Sequence, residues 1–123
     1  MIHDGPYTLP PADIVCDDEM VRVELDVPGF EPHLEVHARG HTVVVRGARR
    51  GDSGRYILCE RPLVLYRELE LPLTADMRNI QACVHKGVLT ISAPLGSGNA
   101  EPDERRIAVR PSMFACHPDA AAI

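Results

Sequence analysis

Aromatic side chains are scarce in this sequence of 123 residues, which has no Trp, three Tyr and two Phe. Any core must therefore be built mainly from Val, Leu and Ile, and platforms for stacking nucleic-acid bases are not expected. A surplus of positive charge is also missing, because the net charge is −5. Since phosphate backbones attract basic surfaces, the composition argues against a nucleic-acid partner.

Long apolar runs are absent as well. Nowhere does the sequence contain the roughly 18 consecutive apolar residues of a membrane-spanning helix. The first residues have neither the basic region nor the apolar stretch typical of a signal peptide. These absences predict a cytoplasmic protein with no membrane span.

The sequence has four cysteines and none of them belongs to a C-x-x-C pair; they are Cys16, Cys59, Cys83 and Cys116. In a reducing compartment, cysteines spaced so widely are expected to remain thiols.

Two further patterns resemble chemical sites. His33, His37 and His41 recur every four residues, but on a strand this spacing separates neighbours by about 13 Å, too far for one metal ion. Cys83 and His85 share one strand face, yet no third group is in place to orient the histidine. We therefore expect no metal site, and no enzyme, because no acid, base and nucleophile converge.

The strongest positive signal is an alternation of apolar and polar residues with period two. It covers residues 21–27, 34–39, 43–46, 63–71, 80–84 and 89–93, mostly bounded by Gly or Pro. Side chains on a strand alternate between two faces, so these six segments predict short half-buried strands, and a short strand at residues 55–60 would be a seventh. No helical period appears, and the sequence therefore predicts an all-β, antiparallel, immunoglobulin-like β-sandwich.

Composition divides the chain into three parts. Residues 1–11 form a short N-terminal arm, residues 12–94 the sandwich and residues 95–123 a C-terminal extension. Residues 95–106 are rich in Gly, Ser, Asn, Pro and acids, which predicts a mobile linker, and both extensions are expected to be flexible. An isolated apolar pair, Ile107 and Val109, follows this linker.

Four segments, taken in order, resemble the small heat shock proteins, the Hsp20 or α-crystallin-type chaperones. Residues 25–30 (Leu-Asp-Val-Pro-Gly-Phe) resemble the strand-ending turn of that family, and Arg67 with the Leu71-Pro72 pair resembles its Arg-containing strand. Ala82, four variable residues and then Gly-Val-Leu at 87–89 resemble the family signature. Ile107-Ala108-Val109 resembles the I-x-I/V motif of the C-terminal extension.

The resemblance implies an ATP-independent holdase that binds unfolding client proteins and prevents their aggregation. It implies an α-crystallin domain that forms dimers and larger homo- or hetero-oligomers, with no catalytic residue, cofactor or metal. The alternative is a p23-like co-chaperone, or a regulatory subunit that docks on a folded partner or on longer small heat shock proteins.

The resemblance also assigns residues. Ile107 and Val109 would form a latch that binds an apolar groove on the same or a neighbouring subunit; we expect this groove at Leu34, Val36, Ile80, Ala82 and Val84. The dimer contact is expected in a short strand, made of Arg55, Tyr56, Ile57, Leu58, Cys59 and Glu60, that pairs with an edge strand of the neighbour. Arg67 is expected to contribute an ion pair near this contact.

Lys86 occupies a hairpin position where Asn or Asp is common in the family. A two-residue hairpin at Lys86-Gly87 requires a positive φ there, at a small cost in energy.

Overall fold

The computed structural model describes residues 7–51, 53–113 and 116. The predicted arm at 1–11 and extension at 95–123 therefore lie partly outside the described residues. Ten strands occur in the described ranges: β1 (Tyr7–Thr8), β2 (Ala12–Cys16), β3 (Met20–Asp26), β4 (Leu34–Arg39), β5 (Thr42–Ala48), β6 (Val64–Glu70), β7 (Gln81–His85), β8 (Val88–Pro94), β9 (Arg105–Ile107) and β10 (Val109–Pro111). Two single-turn 3₁₀ helices, Glu31–His33 and Met77–Asn79, accompany them, and no helix in these ranges could cross a membrane.

The strands form two five-stranded sheets. The first has the order β1-β6-β5-β4-β9 and the second the order β10-β7-β8-β3-β2. All pairs are antiparallel except β1 with β6 and β10 with β7. This arrangement confirms the predicted all-β sandwich.

The core between the sheets is aliphatic, as the scarcity of aromatic residues predicts. Along β3, for example, Val21, Val23 and Leu25 are fully buried while the intervening charged residues are not. Alternate side chains of a strand point to one face, so the alternation in the sequence correctly predicted which residues enter the core.

The hairpin between β7 and β8 has the backbone that its length requires. Lys86 has φ +48° and Gly87 has φ +78°, so both central residues are left-handed, as in a type I′ turn. The expected positive φ at Lys86 is therefore confirmed.

The pattern of the sequence did not predict β1 and β2, and the strand expected at residues 55–60 on pairing with a neighbour is not formed in the single chain. Residues 55–60 have no strand structure; they belong to the long connection between β5 and β6. Arg49 closes the base of this connection, because its guanidinium donates to the carbonyl oxygens of Pro62 (2.6 Å) and Arg61 (3.1 Å). The described strands pair with one another and not with this segment, and an extended segment without a ladder has little to stabilise it.

Candidate functional site

Residues 105–111 form a strap, here called the C-terminal strap, along one side of the sandwich. Its first half, β9, lies antiparallel to β4 with Ile107 opposite Val36. Its second half, β10, lies parallel to β7 with Val109 opposite Ala82. Because β4 and β7 belong to different sheets, the strap crosses from one sheet to the other at Ala108.

The apolar residues of the strap pack into the sandwich. Ile107 is only 6% exposed and belongs to the core cluster, and Val109 is partly buried against the same cluster. Full burial of such a side chain contributes about 1.5–3 kcal/mol. Of the two apolar side chains, Ile107 therefore contributes more to docking of the strap than Val109.

The structure brings three of the five predicted groove residues to the strap. Val36 and Ala82 lie opposite its apolar residues, and Val84 lies opposite Pro111. Leu34 is buried but lies beyond the paired part of β4, beside a surface cavity of about 1020 Å³. Ile80 is buried just before β7 begins.

The segment before the strap is anchored, although its composition predicts a mobile linker. The Met77 amide donates to the carbonyl oxygen of Asn99 (2.7 Å), and the Gly40 amide donates to that of Glu101 (2.8 Å). The Glu101 carboxylate also pairs with the Arg78 guanidinium at 3.0 Å. The segment is thus fixed to the 3₁₀ helix Met77–Asn79 and to the turn between β4 and β5.

Gly98 shows why this anchored path needs glycine. Its φ is +68°, and a Cβ at this position would lie 2.7 Å from the carbonyl oxygen of Leu73. An L side chain is therefore disfavoured by the left-handed backbone and would also clash with the Leu73 carbonyl oxygen.

A small group of charges lies where the strap meets β4. The His37 ring donates to the Glu35 carboxylate at 3.1 Å, and Arg106 of the strap lies opposite His37. The hydrogen bond from His37, with the nearby charges of Arg106 and Arg46, lowers the pKa of Glu35 below its ordinary value of 4.5. The ionised form of Glu35 is therefore favoured in the folded chain, chiefly by His37 on its own strand and to a smaller extent by Arg106 of the strap.

A disulfide joins Cys83 on β7 to Cys116, and their Cα atoms are 5.8 Å apart. The prediction that all four cysteines remain thiols is thus wrong for this pair. The reason is that β10 pairs with β7 and so brings the residues after the strap close to Cys83. Cys16 and Cys59 are free thiols. The bond also rules out a Cys83–His85 nucleophile pair. His85 Nδ1 instead donates to the carbonyl oxygen of Ser112 at 2.8 Å.

The three regularly spaced histidines do not converge. His37 binds Glu35, and the His41 ring donates to the carbonyl oxygen of Ala75 at 3.1 Å. Within residues 7–51, 53–113 and 116, no group of three potential metal ligands occurs.

The opposite side of the sandwich is less covered. There the chain crosses from β1 to β2 at the buried Pro10, leaving Ile14 and Val15 of β2 45% and 43% exposed. In the described part of the chain, β2 is the last strand of its sheet and pairs only with β3. We call its outer side the open edge.

The segment predicted to make the dimer contact is also exposed. Ile57 is fully exposed and Leu58 is 71% exposed. Arg67, predicted near the same contact, is half-buried, and its guanidinium donates to the carbonyl oxygen of Pro10 at 3.2 Å. A main-chain carbonyl thus satisfies a charge for which we expected an ion pair.

An antiparallel β-sandwich whose I-x-V segment closes the edge between its sheets has the architecture of an α-crystallin domain. The chain belongs to the Hsp20/alpha crystallin family, whose sequence profile it matches over residues 13–110. This membership confirms the resemblance found in the sequence.

Individual relatives agree with this placement. The chain is 29% identical over 111 residues to the "Heat shock 22 kDa protein, chloroplastic" of Chlamydomonas reinhardtii, covering 84% of this chain and 71% of that protein. A small heat-shock protein from Xylella fastidiosa aligns with a TM-score of 0.63 and 28% identity over 83% of this chain and 96% of that one. Its crystal structure is described as revealing a distinct high order structure. HspA from Xanthomonas axonopodis aligns with a TM-score of 0.61 and 29% identity over 72% and 94% of the two chains.

Proposed function

We propose that this protein is an ATP-independent holdase of the cytoplasm, which binds unfolding proteins through exposed apolar surface and is not an enzyme. The observation that carries the proposal is the coexistence of two uncovered apolar elements, the open edge and residues 55–60. Water-exposed aliphatic groups such as Ile57 and Leu58 lower the free energy of the system when they are buried against a partner. Membership in a family of chaperones supports this interpretation.

The same two elements support a dimer, so client binding and the dimer contact would compete for this surface. The open edge presents backbone donors and acceptors with no strand partner in the described ranges, and an extended segment of a neighbour can pair there by β-augmentation. Residues 55–60 of a second copy are the proposed partner, with Ile57 and Leu58 facing Ile14 and Val15. Arg67 is proposed to act indirectly, by holding Pro10 and hence the start of β2.

The C-terminal strap, with Ile107 and Val109 as its latch, is proposed to control assembly beyond the dimer. Its apolar residues occupy the groove at Val36 and Ala82 in the same chain, and an identical segment of another copy offers the same side chains. Released straps would therefore link dimers into homo- or hetero-oligomers.

The test is suppression of thermal aggregation. A heat-labile enzyme is warmed with increasing ratios of this protein, and light scattering is followed after removal of nucleotides and in the presence of EDTA. We expect scattering to fall with increasing ratio and to be insensitive to both treatments. Loss of suppression in EDTA would contradict the proposal, and a lack of suppression at every ratio would favour a co-chaperone that docks on a folded partner.

A pair of variants tests whether clients bind at residues 55–60. Ile57→Ser with Leu58→Ser removes the exposed aliphatic pair, while Leu73→Ser removes a 79% exposed leucine elsewhere. Only the first variant is expected to weaken suppression. Equal weakening by both would mean that clients bind without regard to these elements.

A further inference from the structure

The chain beyond the I-x-V motif continues to follow β7. Arg110 lies opposite Cys83 and Pro111 opposite Val84. The amide of Ser112 donates to the carbonyl oxygen of Val84 at 2.9 Å, and His85 Nδ1 donates to the carbonyl oxygen of Ser112. Strand β7 and the segment after the I-x-V motif therefore stay paired to the end of β7. The disulfide then joins Cys116 back to Cys83, in the middle of the same strand.

The disulfide lies outside the core. Cys83 alternates with the buried residues Ala82 and Val84, and both Cys83 and Cys116 are partly exposed. Breaking the bond thus removes no core packing, and its sulfur atoms are on the side open to a reductant.

We propose that the Cys83–Cys116 disulfide decides which copy of the strap occupies the groove between β4 and β7. This inference rests on the proposed function, in which the groove also accepts the strap of another copy. In the oxidised chain the strap is tethered at both ends, by residues 95–104 and by the disulfide, so it rebinds its own groove. In the reduced chain only the first tether remains, and the strap is released to a second copy.

The disulfide has this effect because it sets the effective concentration of the strap at its own groove. A strap held at both ends cannot leave its groove far enough to reach another molecule, whereas a strap held at one end exchanges between intramolecular and intermolecular docking. The intact bond also excludes a neighbour's strap from the groove.

The reductant is a dithiol, such as a reduced disulfide reductase of the compartment. One of its thiolates attacks a sulfur atom of the Cys83–Cys116 bond and forms a mixed disulfide, and its second thiolate displaces the remaining cysteine. Two electrons and two protons pass to Cys83 and Cys116, which become thiols, while the dithiol becomes a disulfide. In a cytoplasm, where protein disulfides are usually transient or redox-sensing, such a bond is suited to switching.

The other two cysteines do not compete within the folded chain. Cys16 is on β2, which is separated from β7 by β8 and β3, a distance of about 14 Å at the usual strand spacing. Cys59 is in the connection between β5 and β6, on the other sheet. For the test, Cys16→Ser and Cys59→Ser give a background that keeps only the disulfide pair.

The experiment measures amide hydrogen exchange of residues 105–112 in this background. The chain is compared oxidised, reduced with dithiothreitol, and with the further change Cys116→Ser. We expect exchange of the strap to become about tenfold faster on reduction and equally fast in the Cys116→Ser variant without reductant. Unchanged exchange of β3 and β8 amides verifies that each form is folded.

Native mass measured across concentration gives the second readout. The reduced chain and the Cys116→Ser variant are expected to form larger assemblies than the oxidised chain. Faster amide hydrogen exchange in the strap with no change in mass would overturn the proposal that a released strap docks on a second copy. Equal strap exchange in all three forms, or peptide mapping that finds no Cys83–Cys116 bond in unreduced protein, would overturn the proposal entirely.

Suppression of aggregation is measured on the same samples. Failure of the holdase proposal would appear as no suppression in either redox state while strap exchange still differs. Failure of the redox inference would appear as suppression with identical strap exchange, so the two outcomes are distinguishable.

Discussion

The two sides of the sandwich are each crossed by a terminal segment of the chain, but the crossings differ in how much they bury. On one side the C-terminal strap crosses at Ala108 and buries Ile107. On the other side the N-terminal segment crosses at Pro10 and leaves Ile14 and Val15 nearly half exposed.

The anchoring differs in the same direction. The C-terminal crossing is held by an ordered linker on one end and by a disulfide on the other. The N-terminal crossing is held by the pairing of β1 with β6 and by the hydrogen bond from Arg67 to Pro10. One side thus closes within a single chain, whereas on the other side β2 has no second strand partner among the described residues.

The largest expected effect comes from removing the segment proposed to cover the open edge. Deletion of residues 55–59 should convert dimers of the 13.5 kDa chain to monomers, because the open edge then has no strand to accept. Light scattering measures the mass, and the Leu73→Ser variant serves as a control that should stay dimeric. A deleted protein that remains fully dimeric would place the contact elsewhere.

The next effect tests the strapped side. Ile107→Ala with Val109→Ala should weaken docking of the strap by about 2–4 kcal/mol, since a buried Ile is truncated together with a half-buried Val. In the reduced protein, strap amides should exchange faster, and assemblies should shrink to dimers without unfolding of the sandwich. The exposed neighbour Arg110→Ala is the control. If the double variant kept both its mass and its exchange rates, the motif would have no role in assembly.

A smaller effect tests the linker that leads into the strap. Gly98→Ala should destabilise the folded chain by about 2–3 kcal/mol, because a strained φ and a backbone clash add. Gly40→Ala is the matched control, since Gly40 has a similar left-handed φ, of +58°, but no atom lies within 4 Å of the place that its Cβ would take. Urea unfolding compares the two variants, and equal losses would mean that the approach of Leu73 is irrelevant.

The smallest effect concerns the charges beside the strap. Because the pKa of Glu35 is lowered in the folded chain, its stabilising contribution is present above its unfolded pKa and is lost as the pH falls through the lower folded value. Glu35→Gln should therefore lower the urea midpoint slightly at neutral pH and have progressively less effect as the solution is acidified. Glu70→Gln, an exposed carboxylate on β6, is the control, and a loss that does not change with pH would rule out this ionisation.

Much of the fold was predictable because burial of one strand face requires a period-two pattern. The central strands follow this pattern, and their core residues are those that the alternation predicts. Strand β2 escaped prediction because its residues are mostly exposed, so no buried face left an alternating signal. Residues 55–60 form no strand in the single chain, and their expected pairing with a neighbouring subunit stays a prediction.

The sequence by itself determined the alternating strands, the left-handed hairpin at Lys86-Gly87 and the apolar pair at Ile107 and Val109, because these depend on residues close together in the chain. Only the tertiary structure decided that the strap occupies its own chain's groove, that Arg67 binds the Pro10 carbonyl and that Cys83 bonds to Cys116. Each of these contacts joins segments far apart in the chain, and spacing along a sequence does not tell which distant segments a sheet edge will bring together.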